Sequence, residues 1–583
     1  MPTSKNRLLT SVSIAAAALI LGSAGAVLAQ DVAREDTVIL DLDRTIQDPE
    51  NFNWMTDGTG VRRMQGAHQG MWEPLFVLGA DGSVEPWLAT GIESNETFDV
   101  WTLSLREGVT WSDGEAFNAD DVVFSVDMIL QTAELNAREV AQLRSEVASV
   151  ERVDDLTVRF TLKKPNPRFV SDNLAIRVFG AFTPVPEHIW SQAENPATFT
   201  FNPPVGTGPY TLTSIATNRA IWDRNDNWWG AATGFMDLPE PLRLIVLETG
   251  GEEARAQLMA ANQLDAAQTV TLGTFEAIQA RNPEVEAFAP GLPYSWADPC
   301  PRQLEFNTTV APWDSAEMRR AIAHIIDRTQ IVNIAYEGTT SPSRTMFVQY
   351  PAMEAFISAV VDAGYGLPAT ADVAAGQALI EAQGWTRNGD YYERDGETLD
   401  MAIHVNSAST EYTRTIDVIV EQLQRAGIDA RAVPVENGVF WGEVLPFGNY
   451  EVSYSWLSCA SVNEPWASMG RYTSASVVPV GERAPGFNNT GRWNTEATAA
   501  YTEIVNAMGV MPLGDPAIPG MVAEAYQYLA AEMPFIPLVQ AAKLLPVNTT
   551  YWEGWPTTDN PYNSPAFWRG DTHRILHNLT RAQ

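Results

Sequence analysis

Three features of the sequence predict an α/β chain. Runs with a two-residue alternation of apolar side chains stand beside runs with a helical repeat. Helix-then-strand order recurs with short connections. No fixed-period repeat and no low-complexity tract interrupts the pattern.

The first segment stands outside that fold. Lys5 and Arg7 precede an uncharged apolar run at 8–25, and Val27, Leu28 and Ala29 put small residues before Gln30. These are the parts of a secretory signal peptide cleaved after Ala29, which predicts a periplasmic protein. No cysteine lies near the cleavage site, which argues against a lipid anchor. Further along, 100–106 (VWTLSLR) alternates, as do Leu156, Val158, Phe160 and Leu162. Both predict half-buried strands. Ser315 is expected to cap a helix with Met318, Ile322, Ile325 and Ile326 on one face. A second helix carries Ile416, Ile419, Val420 and Leu423, ends at Gly427, and leads into a strand at 428–435.

Length and charge narrow the function. At 583 residues the chain must form more than one domain. Its formal net charge of −35 makes nucleic acid and anionic membrane poor partners. No later apolar run is long enough to cross a bilayer. The two cysteines, Cys300 and Cys459, form an even count in a secreted chain, which suggests a disulfide. Tryptophan (19) outnumbers tyrosine (16), and an excess of large flat rings suits stacking on ring-shaped ligands as well as core packing.

Catalytic signatures are missing. There is no G-x-S-x-G, no H-E-x-x-H and no Walker A loop. His573 and His577 have i,i+4 spacing without further ligands, so neither a metal nor a cofactor is expected. His324 reads as a half-buried helix residue, and Gly206-Thr207-Gly208-Pro209 as a tight turn. Binding is favoured over catalysis.

The segment "EPLFVLGADGSVEPWLATGIESNETFDVWTLSLREGVTWSDGEAFNADDVVFSVDMIL" (73–130) resembles the signature region of the family 5 extracellular solute-binding proteins, the peptide-, nickel- and oligosaccharide-binding components of ABC importers. "PVGTGPYTL" (204–212), "LEFNTTVAPWDSAEMRRAIAHIIDR" (304–328) and "EMPFIPLVQ" (532–540) are similar to its later landmarks, in order. The signature itself reads as scaffold. Asp81-Gly82 is a turn tip, Asn118 or Asp120 caps a helix, and Trp101, Trp111 and Phe124 are core residues.

The resemblance implies a two-lobed periplasmic binding-protein fold, class II-like and of cluster C, with an extra subdomain on the first lobe. Carried onto this chain, lobe I covers 36–302 and returns at 536–583, and lobe II covers 303–535. The chain crosses between lobes near 294–302 and 534–540, where prolines stiffen the strands around a few pivots. The implied partners are a small-molecule ligand and the permease subunits of an ABC importer in the inner membrane, with the binding protein a monomer.

One stretch, "YSWLSCASVNEPW" (454–466), departs from the peptide-binding members of that family. There a tryptophan is followed three residues later by an aspartate that pairs with the ligand's ammonium. Here Trp456 is followed by Cys459, or by Ser461 if "NEP" sets the register. Glu464 is the nearest carboxylate, in a position that normally forms a turn. A buried ammonium without a carboxylate is costly, so a neutral ligand is favoured. The expected ligand-binding residues are Asn53 and Trp54 in the first lobe, Tyr294 and Trp296 at the first crossing, and Trp441, Trp456, Cys459, Ser461 and Trp466 in the second lobe. Cys300 and Cys459 are the disulfide candidates. The favoured ligand is a neutral oligosaccharide, with an oligopeptide as the alternative. Readings from other classes are a secreted hydrolase and a receptor or chaperone without transport. Nickel is the weakest ligand, because soft ligands are sparse.

Overall fold

The computed structural model describes residues 32–42, 44–56, 59, 67–79, 82–176, 180–456 and 459–583. The expected signal peptide, the Asp81 turn tip, Leu457 and Ser458 lie outside the described residues.

In the first lobe, Thr37–Leu42 pairs in parallel with Arg243–Glu248, which continues antiparallel to Arg219–Arg224 and Tyr210–Ala216. A parallel pair cannot be joined by a hairpin and needs a long crossover. That crossover holds the extra subdomain. Its antiparallel sheet runs in the order Ala89–Ser94, Val100–Leu105, Thr157–Leu162, Val147–Asp154. Both runs read as alternating strands lie here, with Trp101, Leu103, Val158 and Phe160 buried. Asn118 is the cap of helix Ala119–Gln131, in a reciprocal box with Asp121. Trp101 and Trp111 are core, and Phe124 packs half-buried against them.

The second lobe is built on a five-stranded sheet in the order Asp429–Val435, Asp400–Asn406, Val452–Trp456, Trp296–Phe306, Phe535–Lys543. The first three strands are mutually parallel and the last two antiparallel. Ser315 caps helix Ala316–Ile325 by accepting from the Met318 N–H. Gly427 closes helix Thr410–Ala426 at φ 106°, where a side chain would be strained. A separate helical core joins Met346–Val360 residues to helices Glu496–Gly509 and Ile518–Glu532. Most of each expected interlobe crossing lies in the strands Trp296–Phe306 and Phe535–Lys543, which pair from Trp296↔Lys543 to Glu305↔Phe535.

The Gly206–Gly208 turn has a different purpose from the one read in the sequence. A Cβ on Gly206 would lie 2.1 Å from the Met71 carbonyl oxygen, and one on Gly208 2.4 Å from that of Gly70. The Gly208 N–H donates to Met71 O at 2.8 Å. Glycine is needed because two backbones touch, and the contact fixes the 67–72 segment that borders the interlobe cleft. His573 is buried and His577 half-buried, packed on Trp87 and Trp228, so they serve the first-lobe core.

Beside them, Glu73 is wholly buried and accepts from the Trp87 and Trp229 indole N–H groups at 2.9 and 2.8 Å. Burial, only partly offset by these donors, pushes its carboxyl up to about 7. The folded state then holds this proton more tightly than the unfolded chain. Its contribution to stability falls as pH rises from the ordinary glutamate range through about 7. The melting temperature of Glu73→Gln, which mimics the acid form, should therefore decline less than the parent's between pH 5 and pH 8. The expected difference is roughly 2–3 kcal/mol. Identical slopes would show that Glu73 is not the titrating group.

Candidate ligand-binding cleft

A cavity of about 1420 Å³ opens between the lobes. It exceeds the 300–1,000 Å³ usual for a drug-sized ligand, so it suits an oligomeric one. The crossing strands contribute Asp298, Cys300, Arg302, Ala542 and Lys543 to its lining.

The second-lobe wall is aromatic. Trp456 is the last residue of strand Val452–Trp456, whose other four residues are buried. Strand pairing places it opposite Arg302. Trp441 sits in the turn Phe440–Val444 and lies 4.9 Å from Trp456 between ring centroids, tilted by 37°. Buried Phe440 supports Trp441 edge-on at 5.0 Å, and Phe487 does so at 6.3 Å. The first-lobe wall combines Trp54, Trp72 and Trp568 with the amides of Gln47, Gln69 and Gln268 and the hydroxyls of Thr183 and Thr271. Gln69 is buried, with one end of its amide 3.2 Å from His68 Nε2 and its Oε1 without a partner.

Charges in the cleft cancel. Arg44, Arg255, Arg302, Arg414, Lys543 and Arg569 face Glu139, Glu252, Glu253, Asp298, Glu337 and Glu411. Most are already paired within the protein. Arg302 makes a two-pronged contact with Glu411 at 2.6 and 3.1 Å, and Lys543 donates to the same carboxylate at 3.3 Å. Arg569 pairs with Asp298, Arg255 with Asp41 and Arg414 with Glu337. Burial opposes ionisation of Glu411. The adjacent Arg302 and Lys543 charges and the donors on its oxygens override it and lower its carboxyl to about 2. A neutral lining within a chain of net charge −35 is a local departure from the protein's composition.

Of the residues expected to bind ligand, the structure brings Trp54, Trp441 and Trp456 to the cleft. The others are placed elsewhere. The Asn53 amide donates to Pro196 O and Phe199 O and accepts from the Met55 N–H, so it positions its neighbour Trp54. Tyr294 packs on Phe275 in the first-lobe core. Trp296 pairs with Lys543 outside the lining. Ser461 is buried, exchanges hydrogen bonds with Ser468 and donates to Pro465 O. Trp466 belongs to the helical core. Cys459 is fully buried behind the wall and bonded to Cys300, which lines it. Glu464 is held by Arg168 and by the Trp466 and Ala467 N–H groups. Sequence reasoning missed Trp72, Gln69, Phe487, Trp568 and Glu411. Among the described residues, no group of three or more His, Cys, Asp or Glu side chains is placed to hold a metal ion. No helix among them is long and apolar enough to cross a membrane.

Two lobes joined by paired strands around a deep cleft define a solute-binding protein. The chain belongs to the bacterial extracellular solute-binding proteins, family 5, whose middle-region profile matches residues 83–478. It is 26% identical over 378 residues to the nickel-binding periplasmic protein of Escherichia coli K12, covering 63% of this chain and 66% of that one. It is 24% identical over 550 residues to the glutathione-binding protein GsiB of Salmonella typhi, covering 90% and 92%. Among solved structures, the periplasmic oligopeptide-binding protein of a Thermotoga maritima ABC transporter superposes with a TM-score of 0.82 at 22% identity. That alignment covers 94% of this chain and all of the other. A mannohexaose-bound structure of that protein gives a TM-score of 0.78 at 23% identity, covering 94% and 99%.

Proposed function

We propose that this chain is the periplasmic receptor of an ABC importer and captures a neutral, hydroxyl-rich oligosaccharide between its lobes. The carrying observation is the cleft lining, in which charges of both signs balance, most of them are paired within the protein, and the walls combine indole rings with amides and hydroxyls. Faces of Trp441 and Trp456 offer stacking planes, and the first-lobe amides offer hydrogen bonds to ring hydroxyls. Glu464 is spent on Arg168 and on two backbone N–H groups, so the 454–466 segment has no carboxylate free for a peptide ammonium. The mannohexaose complex of the Thermotoga maritima protein adds a sugar-occupied example of this fold. The receptor is a monomer, loses residues 1–29 on export, closes by hinge motion at the crossing strands, and presents its ligand unaltered to the inner-membrane permease.

Titration calorimetry of refolded, ligand-free protein tests this reading. The probes are manno-, cello-, xylo- and galacto-oligosaccharides on one side and mixed tri- to pentapeptides on the other. Micromolar binding of one sugar series is expected, with ligand recovered intact. Trp456→Ala should weaken it about 30-fold, the loss of one buried aromatic anchor of roughly 2 kcal/mol. Peptide binding without any sugar response would overturn the carbohydrate reading, and steady cleavage of the sugar would make the protein a hydrolase.

A further inference from the structure

The first lobe carries an arginine, Arg168, that takes no part in the cleft lining. Arg168 lies just beyond strand Thr157–Leu162, with its backbone fixed there: its N–H donates to Asn166 Oδ1, and its carbonyl accepts from the Asp172 N–H. The side chain is fully buried and reaches the second lobe. Its Nε donates to Glu464 Oε2 at 3.1 Å, and its Nη1 donates to Gly509 O at 2.8 Å and Met511 O at 3.3 Å. Its guanidinium lies 5.8 Å from the Trp466 ring centroid. Glu464 is only 4% exposed and is itself oriented by the Trp466 and Ala467 N–H groups. The preceding residue, Asn463, also reaches the first lobe and donates to Gly82 O at 3.4 Å. That approach is close: a Cβ on Gly82 would sit 2.8 Å from Asn463 Cβ. Two consecutive residues of the second lobe are thus gripped by the first, away from the cleft lining.

We infer that the Arg168–Glu464 pair is a closure latch, and that the extra subdomain serves to carry it: the pair sets how much of the ligand-free protein has its lobes closed. The physical reason lies in the contrast between the two states. With the lobes together both charges are out of water and depend on each other. With the lobes apart each is hydrated. Removing one partner strands the other as a buried charge in the closed form only, and so shifts the equilibrium toward open. Replacing both removes that penalty. The latch touches no ligand, so it governs affinity only through the closed fraction. It stands whether the ligand is a sugar or a peptide.

The test uses refolded, ligand-free protein and small-angle scattering on the parent, Arg168→Met, Glu464→Gln and the double variant, with circular dichroism as the folding control. Each single variant should show a larger radius of gyration, reflecting a fall of about tenfold or more in the ratio of closed to open protein. The double variant should return toward the parent, giving a coupling that a pair of independent sites would not show. Glu464→Gln keeps the shape and one of the two acceptor oxygens that the Trp466 and Ala467 N–H groups use, so it carries the test if Arg168→Met does not fold. A folded single variant with the parent's scattering curve overturns the latch and leaves the pair as packing between two lobes that do not part there. None of these readouts needs the ligand, so a wrong sugar assignment leaves the result intact.

Discussion

Serine at both Cys300 and Cys459 should lower the melting temperature of the second lobe by about 10 °C. The disulfide joins residues 159 apart in sequence. In the chain-entropy picture, a ring of that size restricts the unfolded chain by up to about 5 kcal/mol, and measured values are commonly smaller. A lobe of this size loses roughly 2–4 °C per kcal/mol. The effect is also local. Cys300 lies in the crossing strand Trp296–Phe306, and Cys459 follows the strand that ends at Trp456. The bond therefore ties the segment that follows Trp456 to the crossing strand Trp296–Phe306. Losing it should weaken ligand binding as well as stability. Intact mass after alkylation without reductant supplies the control, since the parent should take up no label. A melting shift under about 2 °C would show that the sheet pairing Arg302↔Trp456 holds this segment without the bond.

The parts of the fold that could be read from the sequence are those whose cause is local. Asn118, Ser315 and Gly427 are helix caps because of side chains or φ angles within a few residues of the helix end. The strands at Val100–Leu105 and Thr157–Leu162 announce themselves because one face of each is buried. The family resemblance rests on a long collinear series of such scaffold features, which is why it implies the two-lobed fold and names few of the cleft residues.

The site was less legible because its residues owe their positions to distant partners. Asn53 and Trp54 are adjacent, yet one turns inward to Pro196 and Phe199 and the other faces the cleft. Nothing in the dipeptide distinguishes them. Trp72 and Gln69 reach the lining because Gly206 and Gly208, far along the chain, allow the 67–72 backbone to pack closely. Glu411 reads as an ordinary acidic residue in the first turn of a helix until Arg302 is seen against it. The surplus of tryptophan was a mixed signal. Trp190, Trp222, Trp228, Trp229, Trp313, Trp493 and Trp552 are all fully buried, so most of the surplus is core, and five of the nineteen line the cleft. Glu464 shows the converse: a carboxylate in the right stretch for a ligand, used instead by the protein itself.

Arg302→Met should destabilise the second lobe by about 3–5 kcal/mol, because it leaves a carboxylate buried without its main partner. Arg302 donates to both oxygens of Glu411 and, through Nη1, to Cys300 O at 2.9 Å, and its guanidinium lies 5.1 Å from the Tyr412 ring centroid. After the substitution Glu411 keeps only Lys543 and the Tyr336 hydroxyl, which donates at 2.8 Å, together with the favourable field at the start of helix Thr410–Ala426. The same change should alter the acid limb of the stability profile. In the parent the Glu411 carboxyl is held at about 2, below its value in the unfolded chain. Its contribution is therefore complete above the ordinary glutamate range near 4.5 and is lost as pH falls toward 2. Without Arg302 the folded value rises toward the unfolded one, and this contribution is missing at every pH. Melting temperatures measured from pH 2 to pH 7 should show the parent falling steeply below pH 4.5 and Arg302→Met starting lower and falling less. Glu411→Gln/Arg302→Met, which removes both charges, should recover part of the loss at pH 7. If the single variant melts within about 1 kcal/mol of the parent at neutral pH, Lys543 alone satisfies Glu411, and the two-pronged contact is geometry rather than stability.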